Sequence, residues 1–382
     1  MNIGLITGTF LPKVGGVEWK VHYLASEYIR QGHSVTVFAP RLSIKSKPLP
    51  VTPGYKLVRY GYSMRGLGVL GLDGCLIRRT VIKKHRLTPF DVLHCHHLAL
   101  PTSHGVDIKK RIRVPVVATT CGDDVQTDKK MNYGVRLRPR FDRMVRHNLK
   151  TIDVVGSISK SVRKDLESMQ PTARIVDIPN GVDWDNFQVD SDRQFRDKLG
   201  LRQEDLLILS VGRNHIKKGY ALGIRAFAQI ASRFPNVYYA FVGRDTTELA
   251  TLAEQLKLKR QIRLVEQVPM SEMPYVYHSA DIFFNPSLVE GFAQVNAQAL
   301  ACGLPCVLTN APGNGDAAHY GGALVAQTED VDSMAENLAQ IISDTGFRNQ
   351  LRDQAYQAGK NYSWRVIAEQ YLEVFQDLIE QG

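Results

Sequence analysis

Short apolar runs alternate along the chain with stretches in which apolar residues recur every three or four positions. The first run, Ile3–Thr7, is typical of a buried strand, and the segment from Val17 to Arg30 carries its apolar residues on one helical face. Further strands are predicted, in order, at Val35–Ala39, Val92–Cys95, Val114–Thr119 and Val154–Ser157. Such a βαβ series predicts a doubly wound parallel sheet.

A second series of the same type begins at Leu206–Val211. Its strands continue at Tyr238–Val242, Ile262–Leu264, Ile282–Phe284 and Cys306–Thr309. At 382 residues the chain exceeds one ordinary core, since domains of about 100–200 residues are usual. The segment Ile178–Asp183 follows a short apolar strand and contains proline, asparagine and glycine, so it predicts a boundary. We expect an N-terminal α/β domain over 1–178 and a C-terminal one over 179–364.

The composition is that of a globular protein, with 44% hydrophobic and 23% charged residues. No apolar run reaches the roughly 18–20 residues that a membrane-spanning helix needs. The five cysteines form no CxxC pair, which favours reduced thiols over a disulfide or zinc framework. The N-terminus enters an apolar strand at once, without the basic segment of a signal peptide. We therefore expect a cytoplasmic protein.

Positive charge is concentrated in the first half of the chain. The net charge is +10, and residues 1–185 hold 30 Lys and Arg against 15 Asp and Glu, whereas the rest holds 18 against 23. Two basic runs with helical periodicity, 76–86 and 136–150, fit either an anionic membrane surface or ordinary helices with a solvated outer face. Their combined excess favours peripheral attachment to the inner face of a membrane. Nucleic acid is not expected, because no aromatic platform or known motif accompanies the charge.

The segment 281–305 carries the strongest chemical signal. A buried strand ends at a proline turn, Glu290 follows on the loop, and an alanine-rich helix comes next. At the carboxyl ends of strands in an open α/β sheet, helix N-termini offer N–H groups to anionic ligands. A carboxylate there can accept hydrogen bonds from sugar hydroxyls, while the start of the helix faces phosphate.

This block resembles the donor-binding signature of the retaining two-domain (GT-B) glycosyltransferases of the family 4, group 1 type. In that signature a Glu, seven residues and a second Glu bracket a nucleotide-sugar. Glu290 is in place here, but the second position holds Gln298, about two helical turns further on. By resemblance Glu290 binds the donor sugar and acts in catalysis, with the N–H groups of Gly291 and Phe292 beside it. Gln298 stands where relatives contact the ribose. Gln keeps an acceptor oxygen but loses the charge, and an ordinary polar helix position is the alternative.

Two glycine-containing loops fit phosphate binding. The loop Gly212–Gly219 supplies Arg213, which can fork onto two phosphate oxygens, and Lys218, which offers a point charge. It is similar to the family's Gly-Arg…Lys-Gly loop, so both cations are expected to clamp the donor phosphates and to assist catalysis. The turn formed by Gly15 and Gly16 lets the backbone approach an anion closely and resembles the family's second phosphate-facing loop. A solvated basic loop and a tight strand-to-helix turn are the respective alternatives.

Histidines cluster at the end of the strand Val92–Cys95. A metal site is not favoured, because strand alternation points His94 and His96 one way and His97 the other, and no third ligand is evident. The run resembles the family's Asp-x-x-His-x-His. It implies that His96 lines the cleft on the acceptor side and takes part in catalysis, with a structural role as the alternative.

Where relatives carry a further histidine, this chain has Cys121. A cysteine nucleophile would need an activating base and a lowered pKa, so a residue lining the pocket is the preferred interpretation. The residues assigned to the acceptor side or the pocket are Cys121, Asp123, Asp124 and Asn180.

The resemblance covers nearly the whole chain and implies a GT-B fold, two Rossmann-like domains facing a cleft, with a C-terminal helix over 365–382 packing back on the first domain. It implies retaining transfer of a hexose-type sugar from a nucleotide-sugar to a glycan, lipid-linked or small-molecule acceptor, as in cell-surface glycan or glycoconjugate biosynthesis. Neither a cofactor nor a metal is expected. The glycine-rich segment Arg59–Gly74 predicts a mobile loop that contributes to acceptor choice.

Two other functions stay open at this point. The changes at Cys121 and Gln298 fit a non-catalytic scaffold that binds a sugar nucleotide but has lost key catalytic residues. A sugar-nucleotide epimerase or a phosphorylase could share the fold, but the Gly-Arg…Lys-Gly loop together with the Glu290 block speaks against both.

Overall fold

The computed structural model describes residues 1–13, 15–41, 54–61, 72–129, 131–190 and 194–381. The chain divides into two compact units, one of Met1–Asn180 with Trp364–Gly382 and one of Gly181–Ser363. The sequence placed these boundaries at 178 and 364. Each unit is built around one parallel sheet, and the predicted α/β fold class is confirmed.

The first unit follows the predicted alternation of strands and helices. Its elements are β1 (Asn2–Thr7), α1 (Gly16–Arg30), β2 (Ser34–Pro40), β3 (Lys56–Tyr60), α2 (Leu72–Leu87), β4 (Val92–His96), α3 (Leu100–Ile112), β5 (Val116–Thr119), α4 (Pro139–Leu149), β6 (Val154–Ser157), α5 (Lys160–Ser168) and β7 (Arg174–Asp177). The strands are ordered β3-β2-β1-β4-β5-β6-β7. Central strands such as β1 and β4 are buried on both faces, which explains the apolar run of β1, whereas β4 carries His94 and His96 among its buried residues.

The second unit repeats this architecture. Its elements are α6 (Gln194–Lys198), β8 (Leu206–Val211), α7 (Tyr220–Ile230), β9 (Val237–Val242), α8 (Ala250–Gln255), β10 (Ile262–Val265), α9 (Met273–His278), β11 (Ile282–Asn285), α10 (Gln294–Ala301), β12 (Cys306–Thr309), β13 (Ala323–Ala326), α11 (Val331–Ser343) and α12 (Thr345–Lys360). The strands are ordered β10-β9-β8-β11-β12-β13. The chain order reverses beside β8 and β11, the point at which open α/β sheets bind ligands.

The last helix, α13 (Trp364–Glu380), belongs to the first unit. The Tyr371 hydroxyl accepts a hydrogen bond from Thr119 Oγ1 at 2.7 Å, and the same Thr119 hydroxyl lies 2.6 Å from Nε2 of His94. The rings of Tyr371 and Phe375 lie 4.6 and 5.3 Å from the His94 ring, all of them buried. Polar and aromatic contacts therefore fix the helix to β4 and β5.

Two strands were missed by the sequence analysis. Lys56–Tyr60 forms β3 and Ala323–Ala326 forms β13. Both lie at an edge of their sheet and are largely half-exposed, so neither produces a clear apolar run. The segment Arg59–Gly74, predicted as a mobile loop, begins inside β3 and ends inside α2, and its residues 62–71 lie outside the described residues.

The basic run 136–150 is shorter as a helix than the sequence indicated. Val135–Leu137 forms a single 3₁₀ turn, and α4 begins only at Pro139. Proline lacks an N–H group and disfavours a helical residue before it, so it is suited to the first position of a helix. The other run, 76–86, lies within α2. Within the ranges given above, no helix is long and apolar enough to cross a membrane.

The packing of α13 can be tested with Phe375→Ala. Phe375 is fully buried against Tyr28 and His94, so the variant should lose about 3–5 kcal/mol of unfolding free energy, because a cavity is left in the core. Urea unfolding measures the loss. Ile379→Ala, on the same helix with 36% of the side chain exposed, is the matched control and should change little. Equal, small losses in both variants would contradict the structural role of α13.

Candidate functional site

The loop after β8 is held against the loop after β11. Gly219 has a φ of +62°, and a Cβ there would lie 2.1 Å from the carbonyl oxygen of Pro286, so only glycine fits. The N–H of Leu288 donates to the carbonyl oxygen of Lys217 at 2.7 Å. The lysines of the first loop are thereby brought to the carboxylate of the second.

Glu290 is buried and bound by two lysines. Its Oε1 lies 2.6 Å from Lys218 Nζ and 3.1 Å from the Ser287 hydroxyl, and its Oε2 lies 3.7 Å from Lys217 Nζ. Burial alone would raise the pKa of Glu290, but the charges of Lys218 and Lys217 and the hydrogen bonds from Lys218 and Ser287 lower it below the usual value. The site therefore holds an ionised carboxylate paired with cations.

A chain of buried amides, which the sequence analysis missed, supports this carboxylate. The Ser287 hydroxyl lies 2.7 Å from Asn285 Oδ1, Asn285 Nδ2 donates to Asn296 Oδ1 at 2.7 Å, and Asn296 Nδ2 donates to Asn314 Oδ1 at 2.9 Å. Asn314 Nδ2 in turn donates to Thr309 Oγ1 at 2.8 Å. The three asparagines are almost fully buried, and their amides are satisfied by one another. In the sequence, the polar residues within or beside apolar runs could have indicated these buried amides.

Gln298 lies closer to the start of the helix than expected. The residues between Glu290 and Gln294 form a loop, so Gln298 is about one helical turn into α10, rather than two turns beyond Glu290. Its Oε1 accepts a hydrogen bond from the Tyr277 hydroxyl at 2.9 Å. The acceptor oxygen that the sequence assigned to a ribose is therefore used within the protein.

Donor groups remain available around Glu290. Arg213 is exposed at the start of the loop after β8. Among the described residues, the N–H groups of Gly291 and Phe292 donate to no acceptor. The Phe292 ring is half-buried, 5.8 Å from the ring of Tyr362. A cation and two N–H groups thus accompany the carboxylate, a set that suits a ligand carrying both phosphate and hydroxyl groups.

The two buried histidines of β4 have different surroundings. His94 is hydrogen bonded to Thr119, whereas neither ring nitrogen of His96 has a hydrogen-bond partner. Burial lowers the pKa of His94 to about 3 and that of His96 well below its usual range, and the positive charge of Lys20 adds to both shifts. Both imidazoles are neutral at physiological pH. Across the described ranges, no three metal-ligating side chains gather into a cluster.

Asp124 links two loops of the first unit through hydrogen bonds. Its Oδ1 accepts from the N–H of Cys121 at 2.8 Å and its Oδ2 from the N–H of Leu98 at 2.7 Å. Asp123 is half-buried, with Oδ1 3.8 Å from His97 Nε2. Burial and the Asp124 charge raise the pKa of Asp123, against the opposite effect of His97. Asp124 therefore has a structural position, and Asp123 is the more accessible carboxylate.

Cys121 is half-buried beside these carboxylates. Burial raises the pKa of its thiol, Lys20 opposes the shift, and the charges of Asp124 and Asp123 add to it. A thiol held in its protonated form is a poor nucleophile. Asn180 is half-buried at the last residue before the second unit.

The turn at Gly15 and Gly16 already has a carboxylate beside it. Gly15 is extended and caps α1, which begins at Gly16, and a Cβ on Gly15 would lie 2.6 Å from Glu18 Oε2. Glu18 is buried, accepts a hydrogen bond from the Thr9 hydroxyl at 2.6 Å and lies 3.8 Å from Lys13 Nζ. A phosphate at this N-terminus would therefore meet Glu18, which is unfavourable for the role predicted for the two glycines.

The apolar side of α4 faces the protein interior. Val145 and Leu149 are buried, and Phe141 and Met144 are half-buried. Exposed basic residues on the helix are Arg140, Arg143, Arg146, His147 and Lys150. The apolar stripe is thus a core face, and only the charged side of the helix is available to an anionic surface.

Comparisons with known proteins agree with this architecture. A family model for glycosyl transferases group 1 matches residues 191–358, and one for glycosyltransferase family 4 matches residues 14–186. A phosphatidyl-myo-inositol mannosyltransferase of Mycolicibacterium smegmatis is 29% identical over 397 residues, covering 100% of this chain and 95% of the relative.

Solved structures share the fold. Sucrose-phosphate synthase from Thermosynechococcus elongatus is similar with a TM-score of 0.79 at 18% identity, covering 100% of both chains. Anabaena Alr3699/HepE in complex with UDP and glucose is similar with a TM-score of 0.76 at 17% identity, covering 99% of this chain and 100% of that one.

The two parallel α/β units define the GT-B fold, and the matching family models define an enzyme that transfers glycosyl groups. The chain belongs to the glycosyltransferases of the group 1 and family 4 type, with both halves matched by their family models. The resemblance drawn from the sequence is confirmed for family, fold and enzyme class.

The ionised state of Glu290 has a measurable consequence. Its pKa is lower in the folded protein than the unfolded value of about 4.3, so its pairing stabilises the fold above that pH and is lost as pH falls through the folded pKa. The difference in unfolding free energy between the parent protein and Glu290→Gln should therefore shrink below about pH 4. Denaturant unfolding across pH measures it. Glu373→Gln, at an exposed position, is the control and should change the unfolding free energy little. A flat profile for Glu290→Gln would contradict the pairing.

Proposed function

We propose that the protein transfers a hexose-type sugar from a nucleotide-sugar to an acceptor, with retention of anomeric configuration. The observation that carries the proposal is the buried contact of 2.6 Å between Lys218 Nζ and Glu290 Oε1 at the carboxyl ends of β8 and β11. It unites a phosphate-binding cation with a carboxylate that can accept hydrogen bonds from sugar hydroxyls.

In the proposed reaction, the cations stabilise the departing nucleotide. The exposed guanidinium of Arg213 and the Lys218 ammonium bind the diphosphate, whose negative charge grows as the bond to the sugar breaks. Lys218 then shares its charge between Glu290 and phosphate. Glu290 keeps Lys217 at 3.7 Å and the Ser287 hydroxyl at 3.1 Å, and its carboxylate orients the sugar. No metal is required in this proposal, so a chelator should leave turnover unchanged.

Retention is proposed to follow from front-face displacement. The bond from the anomeric carbon to the phosphate oxygen breaks, the acceptor oxygen bonds to the same face, and the acceptor proton passes to the departing phosphate. The raised pKa of the Cys121 thiol argues against a covalent cysteine intermediate. A neutral His96 is suited to accepting or donating a hydrogen bond on the acceptor side, and Asp123 is the accessible carboxylate there.

Relatives and charge together favour a lipid-linked acceptor. One relative is a phosphatidyl-myo-inositol mannosyltransferase, and a structure of similar fold holds UDP and glucose. Basic residues on the outer side of α4 support contact with an anionic membrane. A glycan or small-molecule acceptor in cell-surface glycoconjugate synthesis is the alternative within the same reaction.

A non-catalytic sugar-nucleotide scaffold is the second candidate. This candidate is favoured by the hydrogen bond that the Tyr277 hydroxyl donates to Gln298 Oε1, because that oxygen is the atom expected to contact the ribose. Binding without turnover would support the scaffold, whereas turnover with any nucleotide-sugar would exclude it.

Donor binding is tested by thermal shift with UDP-, GDP-, ADP- and dTDP-sugars. A ligand that binds only the folded protein raises its melting temperature, so one nucleotide class should give a shift that Arg213→Ala loses. Turnover should fall about 10²-fold or more in Arg213→Ala and in Lys218→Ala, because each removes a donor to developing charge. Lys259→Ala, which removes an exposed lysine of the second unit, is the control. Near-normal turnover in both site variants would contradict the assignment of Arg213 and Lys218 to the donor phosphates.

Membrane attachment is tested with anionic vesicles. Reversing Arg143 and Lys150 to Glu should weaken vesicle binding about 30-fold or more, because each of the two lost cations contributes about 1 kcal/mol near an anionic surface. The matched control reverses two exposed arginines of the second unit, Arg225 and Arg260. Cosedimentation at two salt concentrations provides the measurement. Equal vesicle binding by the α4 variant and the control variant would contradict membrane contact through α4.

A further inference from the structure

The first unit contains a cavity that the proposed donor chemistry does not use. Its volume is about 290 Å³, and its walls are almost wholly apolar. It lies at the carboxyl ends of β1 and β4, between the starts of α1 and α3 and the side of α4. The apolar side chains that line it are Val17, Ala99, Leu100, Pro101, Val135 and Phe141. Leu100 is 46% exposed, so this wall reaches the surface.

His96 forms part of the same wall and has unused hydrogen-bonding capacity. The side chain is fully buried, and neither Nδ1 nor Nε2 has a hydrogen-bond partner. A buried polar group without a partner is destabilising, so such groups are normally paired in folded proteins. A neutral imidazole can donate through one nitrogen and accept through the other. An oxygen atom of a molecule in the cavity would pair this ring.

The cavity is bordered by exposed cations on α4, while Asp123 lies beside its wall residue His97, with Oδ1 3.8 Å from His97 Nε2. Phe141 lines it from α4, and Arg140 and Arg143 are exposed on the same helix. In the part of the chain that the structure describes, no carboxylate lies within ion-pair distance of either arginine. The one acidic residue of α4, Asp142, is paired with Arg136 at 2.8 Å and Arg146 at 2.9 Å. On the α4 side, an anionic head group would therefore meet cations beside an apolar cavity.

We propose that this cavity binds the apolar part of an anionic amphiphile, with His96 pairing an oxygen of the ligand and the exposed arginines of α4 meeting its charge. An amphiphile has these three features in sequence, namely a charged head, an oxygen-bearing middle and a hydrocarbon chain. The proposal rests on the proposed function in one respect, because it makes this amphiphile the acceptor class. Binding itself requires only the first unit's residues.

The experiment uses the full chain and a short-chain anionic phospholipid carrying a fluorescent acyl tail, kept below its critical micelle concentration. Leu100→Trp should fill part of the cavity and weaken saturable binding by about tenfold or more. Leu87→Trp, at a residue 74% exposed at the end of α2 and outside the cavity, is the matched control and should bind as the parent does. A neutral probe with the same tail should bind more weakly, and reversing Arg140 and Arg143 to Glu should abolish that preference.

Two further measurements make each outcome decisive. His96→Phe removes the unpaired nitrogens. It should therefore leave the melting temperature equal or higher, and it should lower the affinity for the probe. Lower stability with unchanged probe binding would show a purely structural histidine and overturn the proposal. Saturable binding that Leu100→Trp leaves unchanged, or its absence in the parent protein, would also overturn it.

Failure of this proposal and failure of the proposed function are distinguishable. The proposed donor-binding cations and carboxylate belong to the second unit, so nucleotide-sugar thermal shifts should be the same in Leu100→Trp as in the parent. Donor binding and transfer to a soluble acceptor without probe binding would remove the cavity proposal and keep the enzyme. Probe binding without any nucleotide-sugar response would keep the cavity proposal and remove the proposed function.

Discussion

The buried charge of Glu290 is the constraint on which the second unit's site depends. An ionised carboxylate is costly to bury unless cations and hydrogen-bond donors surround it. Lys218, Lys217 and Ser287 meet that need. The lysines can reach the carboxylate only because Gly219 turns the loop after β8 against the carbonyl of Pro286. The close backbone approach at Gly219 and the ion pairs of Glu290 are therefore formed between the same two loops.

The same pairing prepares the site for a ligand. Lys218 is held by Glu290, so its side chain is already fixed at the position from which the proposed function has it bind the diphosphate. The amide chain through Asn285, Asn296 and Asn314 stiffens the other side of the carboxylate. A site organised in advance loses less conformational freedom on binding, which favours both affinity and the stabilisation of developing charge.

In the first unit, one short histidine motif serves two purposes. His94 and His96 point to the same side of β4, as strand alternation predicted, yet only His94 finds a hydrogen-bond partner. His94 is hydrogen bonded to Thr119, which in turn donates to Tyr371, and its ring packs on Tyr371, so it helps to anchor the C-terminal helix. His96, one pleat further towards the carboxyl edge, borders the apolar cavity instead. Burial keeps both rings neutral, so neither adds to the positive charge of this unit.

The sequence by itself determined the α/β class, the site loops and the chemical character of Arg213, Lys218 and Glu290. These follow from periodicity along the chain and from the rule that parallel strands present their carboxyl-end loops at one edge. Only the tertiary structure decided that Gln298 pairs with Tyr277, that Asp124 ties two loops, and that His96 has no partner. The physical reason is that a side chain's hydrogen-bond partner is set by distance in space. Tyr277 and Gln298 belong to different helices, and edge strands such as β3 and β13 gain their conformation from a neighbouring strand rather than from their own pattern.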